Sequence, residues 1–222
     1  MKQQNKFTQY VGLKDAARLF AVTLLLSMTF GVVKAQPGSA LDFGGNEYVE
    51  VPHDAALNQT VFTIEAWFKA KSGGGSDQIM VILNRQENTN STPWQKRTFW
   101  MVIPDGFGSG LVDGAVEFRI GDGSNSTSAI LHLSSDDGNN YDYRDGQWHH
   151  AAAVVDDVNG TATLYVDGKE VDNGNYSSGS IWTRTGPMSI GSEVGGTSRD
   201  FEGEVDEVRY WSDVRTKQEI RD

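Results

Sequence analysis

The sequence predicts an all-β domain, a sandwich or barrel, on three observations. Val61 to Ala70 alternates apolar and polar residues, with Phe62, Ile64, Ala66 and Phe68 on one side and Thr63, Glu65, Trp67 and Lys69 on the other, the period-two pattern of a half-buried strand. Short apolar runs recur along the chain, separated by clusters of Gly, Asn, Asp and Ser that favour turns. Asp167-Gly168 lies between two strand-like runs and supplies the positive φ values of a type I′ hairpin turn.

Taken in chain order, the first 35 residues read as a secretory leader. Lys2, Lys6, Lys14 and Arg18 precede an uncharged run from Leu19 to Val33, and Val33-Lys34-Ala35 is a small-x-small cleavage pattern that leaves Gln36 as the new N-terminus. The run is shorter than the roughly 20 residues a membrane-spanning helix needs. After Val61 to Ala70, strands are predicted at Gln78 to Leu83, Thr98 to Ile103, Ala115 to Ile120, Ala129 to Leu133, Ala151 to Val155 and Met188 to Gly191. Thr161 to Val166, the Asp167-Gly168 turn and Lys169 to Val171 form a hairpin. A second turn signal at Asn159-Gly160 extends it to a three-stranded meander from Ala151 to Val171. Polar loops are expected at Ser72 to Asp77, Arg85 to Lys96, Ser134 to Asp145 and Asp172 to Ser180. The only helix signal is Thr216-Lys217-Gln218-Glu219, a capping box in which Thr caps the first turn and Glu reaches back. One domain, residues 36 to 222, is the economical organisation.

Composition narrows the function classes. The chain has no cysteine, so an exported domain of 187 residues must hold together without disulfides, which suits a bacterial envelope or secreted protein. A core of that size buries around 70% of the unfolded surface and requires no staple. The whole chain carries 19 basic and 30 acidic residues. Setting aside Lys2, Lys6, Lys14, Arg18, Lys34 and Asp15 of the leader leaves 14 against 29, a net charge of −15. That excess repels phosphate backbones and argues against nucleic acid as a partner. It also keeps an exported protein soluble.

Six segments, in order over about 180 residues, carry a family resemblance. They are Leu41 to Pro52 (LDFGGNEYVEVP), Phe62 to Trp67 (FTIEAW), Trp148-His149 with the run that follows, Leu164 to Gly168 (LYVDG), Ile190-Gly191, and Gly203 to Arg209 (GEVDEVR). Together they resemble the LamG-like jelly-roll modules of the concanavalin A-like lectin/glucanase (laminin G and pentraxin-like) superfamily. The resemblance implies a two-sheet antiparallel β-sandwich, a jelly roll, closing on a short C-terminal helical turn. It implies that Trp67 and Trp148 fill the core between the sheets, that His149 is a hydrogen-bonded core histidine, and that His150 is its more exposed neighbour. Gly44 stands where the family more often has Asp or Asn.

The resemblance also frames the candidate chemistry. Glycoside hydrolases of the superfamily carry Glu-x-Asp-x-x-Glu on one strand. Glu204 and Asp206 match its first two positions, but Arg209 occupies the third, and Glu207 is three residues from Glu204 and so is expected on the opposite face. The expectation is therefore a module without catalytic activity. Many family members hold one structural calcium ion (Ca2+) near the sandwich edge. The matching ligands here are Asp206, Asn46 and the carbonyls of Gly44 and Gly45. The acidic loops Gly121 to Asn125 and Asp136 to Asn140 read as turn formers, because neither fits the spaced EF-hand pattern. Sugar binding needs flat rings and polar groups for hydroxyls. Trp94, Trp100, Tyr141, Tyr143 and Trp182 lie outside the core-matching motifs and are the candidates. The expected role is a secreted or cell-surface recognition module for a polysaccharide or glycoconjugate, with no membrane span once the leader is removed. The alternatives are a cell-adhesion module that binds an extracellular protein and, behind it, a glycoside hydrolase- or lyase-type domain of the same superfamily.

Overall fold

The computed structural model describes residues 39–71, 79–87, 97–105, 111–122, 129–139, 141–183, 185–193 and 199–221. Twelve strands appear among them: β1 (Leu41–Gly44), β2 (Val49–Val51), β3 (Val61–Ala70), β4 (Ile79–Gln86), β5 (Arg97–Pro104), β6 (Glu117–Ile120), β7 (Leu131–Ser134), β8 (His149–Asp156), β9 (Thr161–Val166), β10 (Lys169–Asn175), β11 (Met188–Ile190) and β12 (Glu202–Trp211). A helical turn, α1 (Lys217–Arg221), ends the described chain.

The strands form two six-stranded sheets. Sheet I runs β1-β12-β3-β8-β9-β10, and sheet II runs β2-β11-β4-β5-β6-β7. Neighbouring strands are antiparallel throughout. Between the sheets the apolar side of β3 (Phe62, Ile64, Ala66, Phe68) meets Phe99, Met101 and Ile103 of β5 and Phe118 of β6 in one buried cluster. Phe62 lies 5.7 Å from Phe99 and stacks on Tyr210 at 5.4 Å, so rings from both sheets share the core.

The local predictions hold where the signal is local. β3 occupies the expected range, and β8, β9 and β10 form the meander. Asp167 and Gly168 adopt φ of 50° and 69° as the type I′ turn requires. Asn159-Gly160 differs, because only Gly160 takes a positive φ. The Asp156 carboxylate accepts the backbone N–H groups of Val158 and Asn159 and closes a longer turn instead. β10 continues through Asn175, into a segment expected to be loop, because its backbone keeps pairing with β9 across a bulge between Glu170 and Asp172. The capping box forms in both directions. The Glu219 carboxylate accepts the Thr216 N–H at 2.8 Å, and the Glu219 N–H donates to the Thr216 hydroxyl at 3.3 Å.

Two features of sheet I reach beyond the pattern. The outer side of β3 is not open to solvent along its length, because the C-terminal segment crosses it. The Thr63 hydroxyl donates to the Asp213 carbonyl and accepts the Arg215 N–H, and Ile220 packs on Ala152, Val154 and Tyr165. β12 carries a register shift between Asp206 and Arg209, with Glu207 at a φ of 50°. The extra residue brings the Glu207 carboxylate back to Arg209, whose guanidinium also bonds Glu65 on the outer face. Strict alternation places Glu204 and Glu207 on opposite faces; the bulge removes that separation.

Candidate functional site

β8 begins with two buried histidines in opposite settings. His149 faces the end of the core against Phe68, with ring centroids 5.7 Å apart. Its Nδ1 bonds Asp167 Oδ2 at 2.9 Å and its Nε2 bonds Asp145 Oδ1 at 3.2 Å. The hydrogen bond to Asp167, followed by that to Asp145, holds the imidazole pKa above its usual value although burial opposes it. Tyr143 and Tyr141 meet the same imidazole edge-on at 5.0 and 5.9 Å, and each other at 4.7 Å. Tyr141 also donates its hydroxyl to Asp145 Oδ2 at 2.8 Å, which raises the phenol pKa. Burial pushes Asp145 and Asp167 up, but the hydrogen bonds outweigh it. The Gln147 N–H, Tyr141 and His149 hold Asp145 low, and His149 with the His150 N–H holds Asp167 low.

His150 points the other way, onto the outer face of sheet I, where it pairs with Trp67 across the β3–β8 ladder at a ring distance of 5.3 Å. It is buried and lies 3.6 Å from the buried carboxylate of Glu65, so it is not the more exposed of the two histidines. The Trp67 ring lies against it.

The two tryptophans assigned to the core are the main correction. Trp67 is 40% exposed and Trp148 39% exposed, and neither belongs to a core cluster. The alternation of β3 places Trp67 with Thr63, Glu65 and Lys69, the side that faces away from sheet II. Trp148 precedes β8 on the same parity as His150. The register makes it the diagonal neighbour of Trp67, a spacing of roughly 7–8 Å between backbones. Tyr141, at 51%, is the third exposed ring. Three of the five large apolar residues exposed among the described residues thus lie next to the start of β8, Trp67 and Trp148 on the outer face of sheet I with His150, and Tyr141 on the side of His149, which faces the other way. Lys69, paired with Glu204 at 3.0 Å, and Asp206, cross-strand from Trp67, border them on the β12 side.

The remaining candidates separate. Tyr143 is half-buried and supports Tyr141 from below. Trp100 is fully buried on the outer face of sheet II, in a small cluster with Ile79, Val81 and Val102, with the Arg97 and Arg199 guanidinium groups over its ring at 5.1 and 5.3 Å. Trp182 is half-buried and lies near it through the Thr98 hydroxyl, which donates to the Trp182 carbonyl at 2.8 Å. Thr98 starts β5, whereas Pro104 at its other end is tied through Gly114 to Tyr143. Four residues of strand, about 13 Å, thus divide Trp100 from the tyrosine end, and six, about 20 Å, divide that end from the Thr98 position that holds Trp182. Trp94 and the leader lie outside the described residues.

The calcium set is not assembled either. Gly44 pairs with Glu202 at one end of the β1–β12 ladder, and Asp206 lies four residues further along β12, about 13 Å away. The first loop is closed by its own Glu47. Its carboxylate accepts the N–H groups of Gly44 and Asn46, and the Gly44 bond in particular lowers its pKa. Asp206 Oδ1 accepts the Glu207 N–H and so caps the bulge. No group of three or more His, Cys, Asp or Glu suited to a metal occurs among the described residues. The loop carboxylates of Asp136 and Asp137 accept the N–H groups of Gly138 and Asn139, as turn formers do.

A family model for the concanavalin A-like lectin/glucanases superfamily matches residues 43–221. Among solved structures, a Bacteroides ovatus protein described as a candidate carbohydrate binder is 20% identical, with a TM-score of 0.58 over 82% of this chain. The chain spans 45% of that protein's length. Domain 4 of an extracellular arabinanase from Geobacillus stearothermophilus, solved with arabinotriose, is 17% identical at a TM-score of 0.56, covering 82% of this chain and 74% of that one. A carbohydrate-binding module of a Ruminococcus gnavus sialidase, bound to α2,3-sialyllactose, is 14% identical at 0.56, covering 82% and 94%. At such identities the likeness is one of fold. No curated protein matches the chain. Among the described residues no helix is long and apolar enough to cross a membrane.

Proposed function

The chain belongs to the concanavalin A-like lectin/glucanase superfamily, and from that premise we propose that it is a secreted, non-catalytic module that binds a polysaccharide or surface glycoconjugate through Trp67, Tyr141 and Trp148. The observation that carries this reading is the exposure of two neighbouring rings, Trp67 and Trp148, on the outer face of sheet I, with exposed Tyr141 near the same end of β8. Soluble monomers seldom leave large rings grouped on their surface without a partner to cover them. Flat rings cover the apolar faces of sugar residues. Gln147, Asp145 and Asp167, which stand beside them, offer amide and carboxylate groups to hydroxyls. Two of the structural neighbours carry saccharides in their solved forms, which agrees with the reading.

The rings are held with little freedom. Tyr141 is fixed by its bond to Asp145 and by Tyr143 and His149, and Trp67 lies against His150 on a central strand. A surface set before the ligand arrives loses little entropy on binding. The leader, Lys2 to Ala35, supports export.

A glycan array probed with the protein tests this directly, and Trp148→Ala and Tyr141→Ala identify the surface. Each variant is expected to weaken retention at least tenfold, about 1.4 kcal/mol, while thermal melting stays within a few degrees of the parent. Unchanged binding in both would reject the surface. A blank array would move the assignment to an extracellular protein ligand. Repeating the array with added calcium and then with chelator examines the metal expectation separately.

A further inference from the structure

Trp67 and His150 stand directly opposite each other in the β3–β8 ladder, with ring centroids 5.3 Å apart and planes tilted by 44°. A cation within roughly 6 Å of an indole is attracted to the ring, more strongly where water is excluded. His150 is 5% exposed, although it lies on the outer face of the sheet. Its Nε2 is 3.6 Å from Oε2 of Glu65, itself 3% exposed. The other carboxylate oxygen, Oε1, accepts the Trp211 indole N–H at 3.0 Å and an Arg209 N–H at 3.3 Å. A chain of contacts therefore runs from β12 through Glu65 and His150 to Trp67, where it ends on a ring that is still 40% exposed.

The other charged groups of this face surround the chain of contacts. From the β9 side, Asp167 Oδ1 accepts the His150 backbone N–H at 2.9 Å, and Tyr165 packs with Ile220. On β12, Asp206 stands opposite Trp67, and Arg209 is shared between Glu65 and Glu207. Lys69 and Lys71, beyond Trp67, pair with Glu204 at 3.0 Å and Asp42 at 4.0 Å. The C-terminal segment, which crosses at Thr63, carries Asp213, Arg215, Lys217 and Glu219, with Arg215 paired to Glu219. Among these described groups the imidazole is the one that ordinarily changes charge between about pH 5 and 8.

Resting on the reading of Trp67 and Trp148 as the glycan surface, we infer that His150 is a positioning residue for Trp67, holding the indole in place when charged and releasing it when neutral. The charged imidazole is fixed by Glu65 and draws the ring onto itself. A ring fixed in advance loses less freedom when a saccharide stacks on it. Glycan retention is therefore stronger in mild acid than in mild alkali.

The test follows two signals of the full chain between about pH 5.5 and 8. One is retention on an array of uncharged glycans, which do not titrate in this range. The other is tryptophan emission without glycan, with the Trp67→Phe variant subtracted to isolate Trp67. A charged imidazole quenches an indole in contact with it, so Trp67 emission is expected to fall on acidification while retention rises roughly threefold. His150→Gln keeps a polar side chain beside the ring without the charge, and should flatten both curves and leave retention at the parent's alkaline level. In the parent, the emission midpoint should coincide with the titration of the His150 ring protons followed by NMR, a measurement that needs no buried substitution. Midpoints that differ, or curves that persist in His150→Gln, assign the titration to His149 or another group and overturn the inference. Titrating emission with no glycan retained at either pH defeats the glycan reading and keeps His150 as the group that governs Trp67. Retained glycan with flat emission does the reverse.

Discussion

At Glu65 a carboxylate is buried on the outer face of a sheet, held by the Trp211 indole N–H at 3.0 Å, by Arg209 at 3.3 Å and by His150. Burial alone would raise its pKa; the bonds from His150 and Trp211 and the charge of His150 reverse that and lower it. A group lowered in the folded state stabilises fully above its unfolded value, near 4.5, and loses that contribution as pH falls through the folded value. Glu65→Gln should cost about 2 kcal/mol in urea unfolding at neutral pH, and its deficit should shrink in acid. His149 has the opposite sign. Its raised pKa stabilises fully below about 6.5 and is lost as pH rises through the folded value. Melting temperature should therefore decline as pH rises above about 6.5, and His149→Gln should flatten that slope. An unchanged slope in the variant would assign the decline to other groups. Neither carboxylate partner of His149 could be paired with it from the sequence alone, since Asp167 is 18 residues away and reaches it only through the β8–β9 hairpin.

Among the elements, β12 depends on one residue for its closest approach. A Cβ built on Gly203 would stand 2.0 Å from the Lys69 carbonyl oxygen, and its φ of 140° is a conformation that L residues rarely adopt. Gly203→Ala is expected to destabilise by about 3 kcal/mol, read as an earlier midpoint in chemical denaturation, because β12 must shift off β3 to relieve the clash. The elements themselves were largely legible. Alternation identified β3, Asp-Gly identified the β9–β10 turn, and Thr216 with Glu219 identified the helix, since each signal is complete within a few residues. The bulge in β12 and the extension of β10 were not legible, because both are settled by the strand across the ladder. Trp67 is instructive here. Its alternation places it on the polar side of β3, and only the motif resemblance assigned it to the core; the structure agrees with the alternation.

For the whole molecule, the order of six short motifs was enough to identify the two-sheet architecture. The site was legible only in part. Tyr141 and Tyr143 were selected as loop aromatics, but the neighbouring exposure of Trp67 and Trp148 follows from the β3–β8 register, which pairs residues more than 80 positions apart. Trp100 and Trp182 were candidates on the same ground as Tyr141, lying outside the core-matching motifs, yet lie on another face, because local composition carries no information about which sheet a strand joins. The outermost strand of sheet I, β10, has a further consequence. It carries Lys169, Glu170 and Asp172 and a bulge between the latter two, so its unpaired backbone is both charged and out of regular register. Such an edge resists addition of a strand from a second molecule. Replacing Lys169 and Glu170 with Thr should increase association with rising concentration relative to the parent, read by size-exclusion elution. A chain this rich in sheet, with no cysteine to supply a disulfide, thus carries at β10 a guard against fibrous self-assembly.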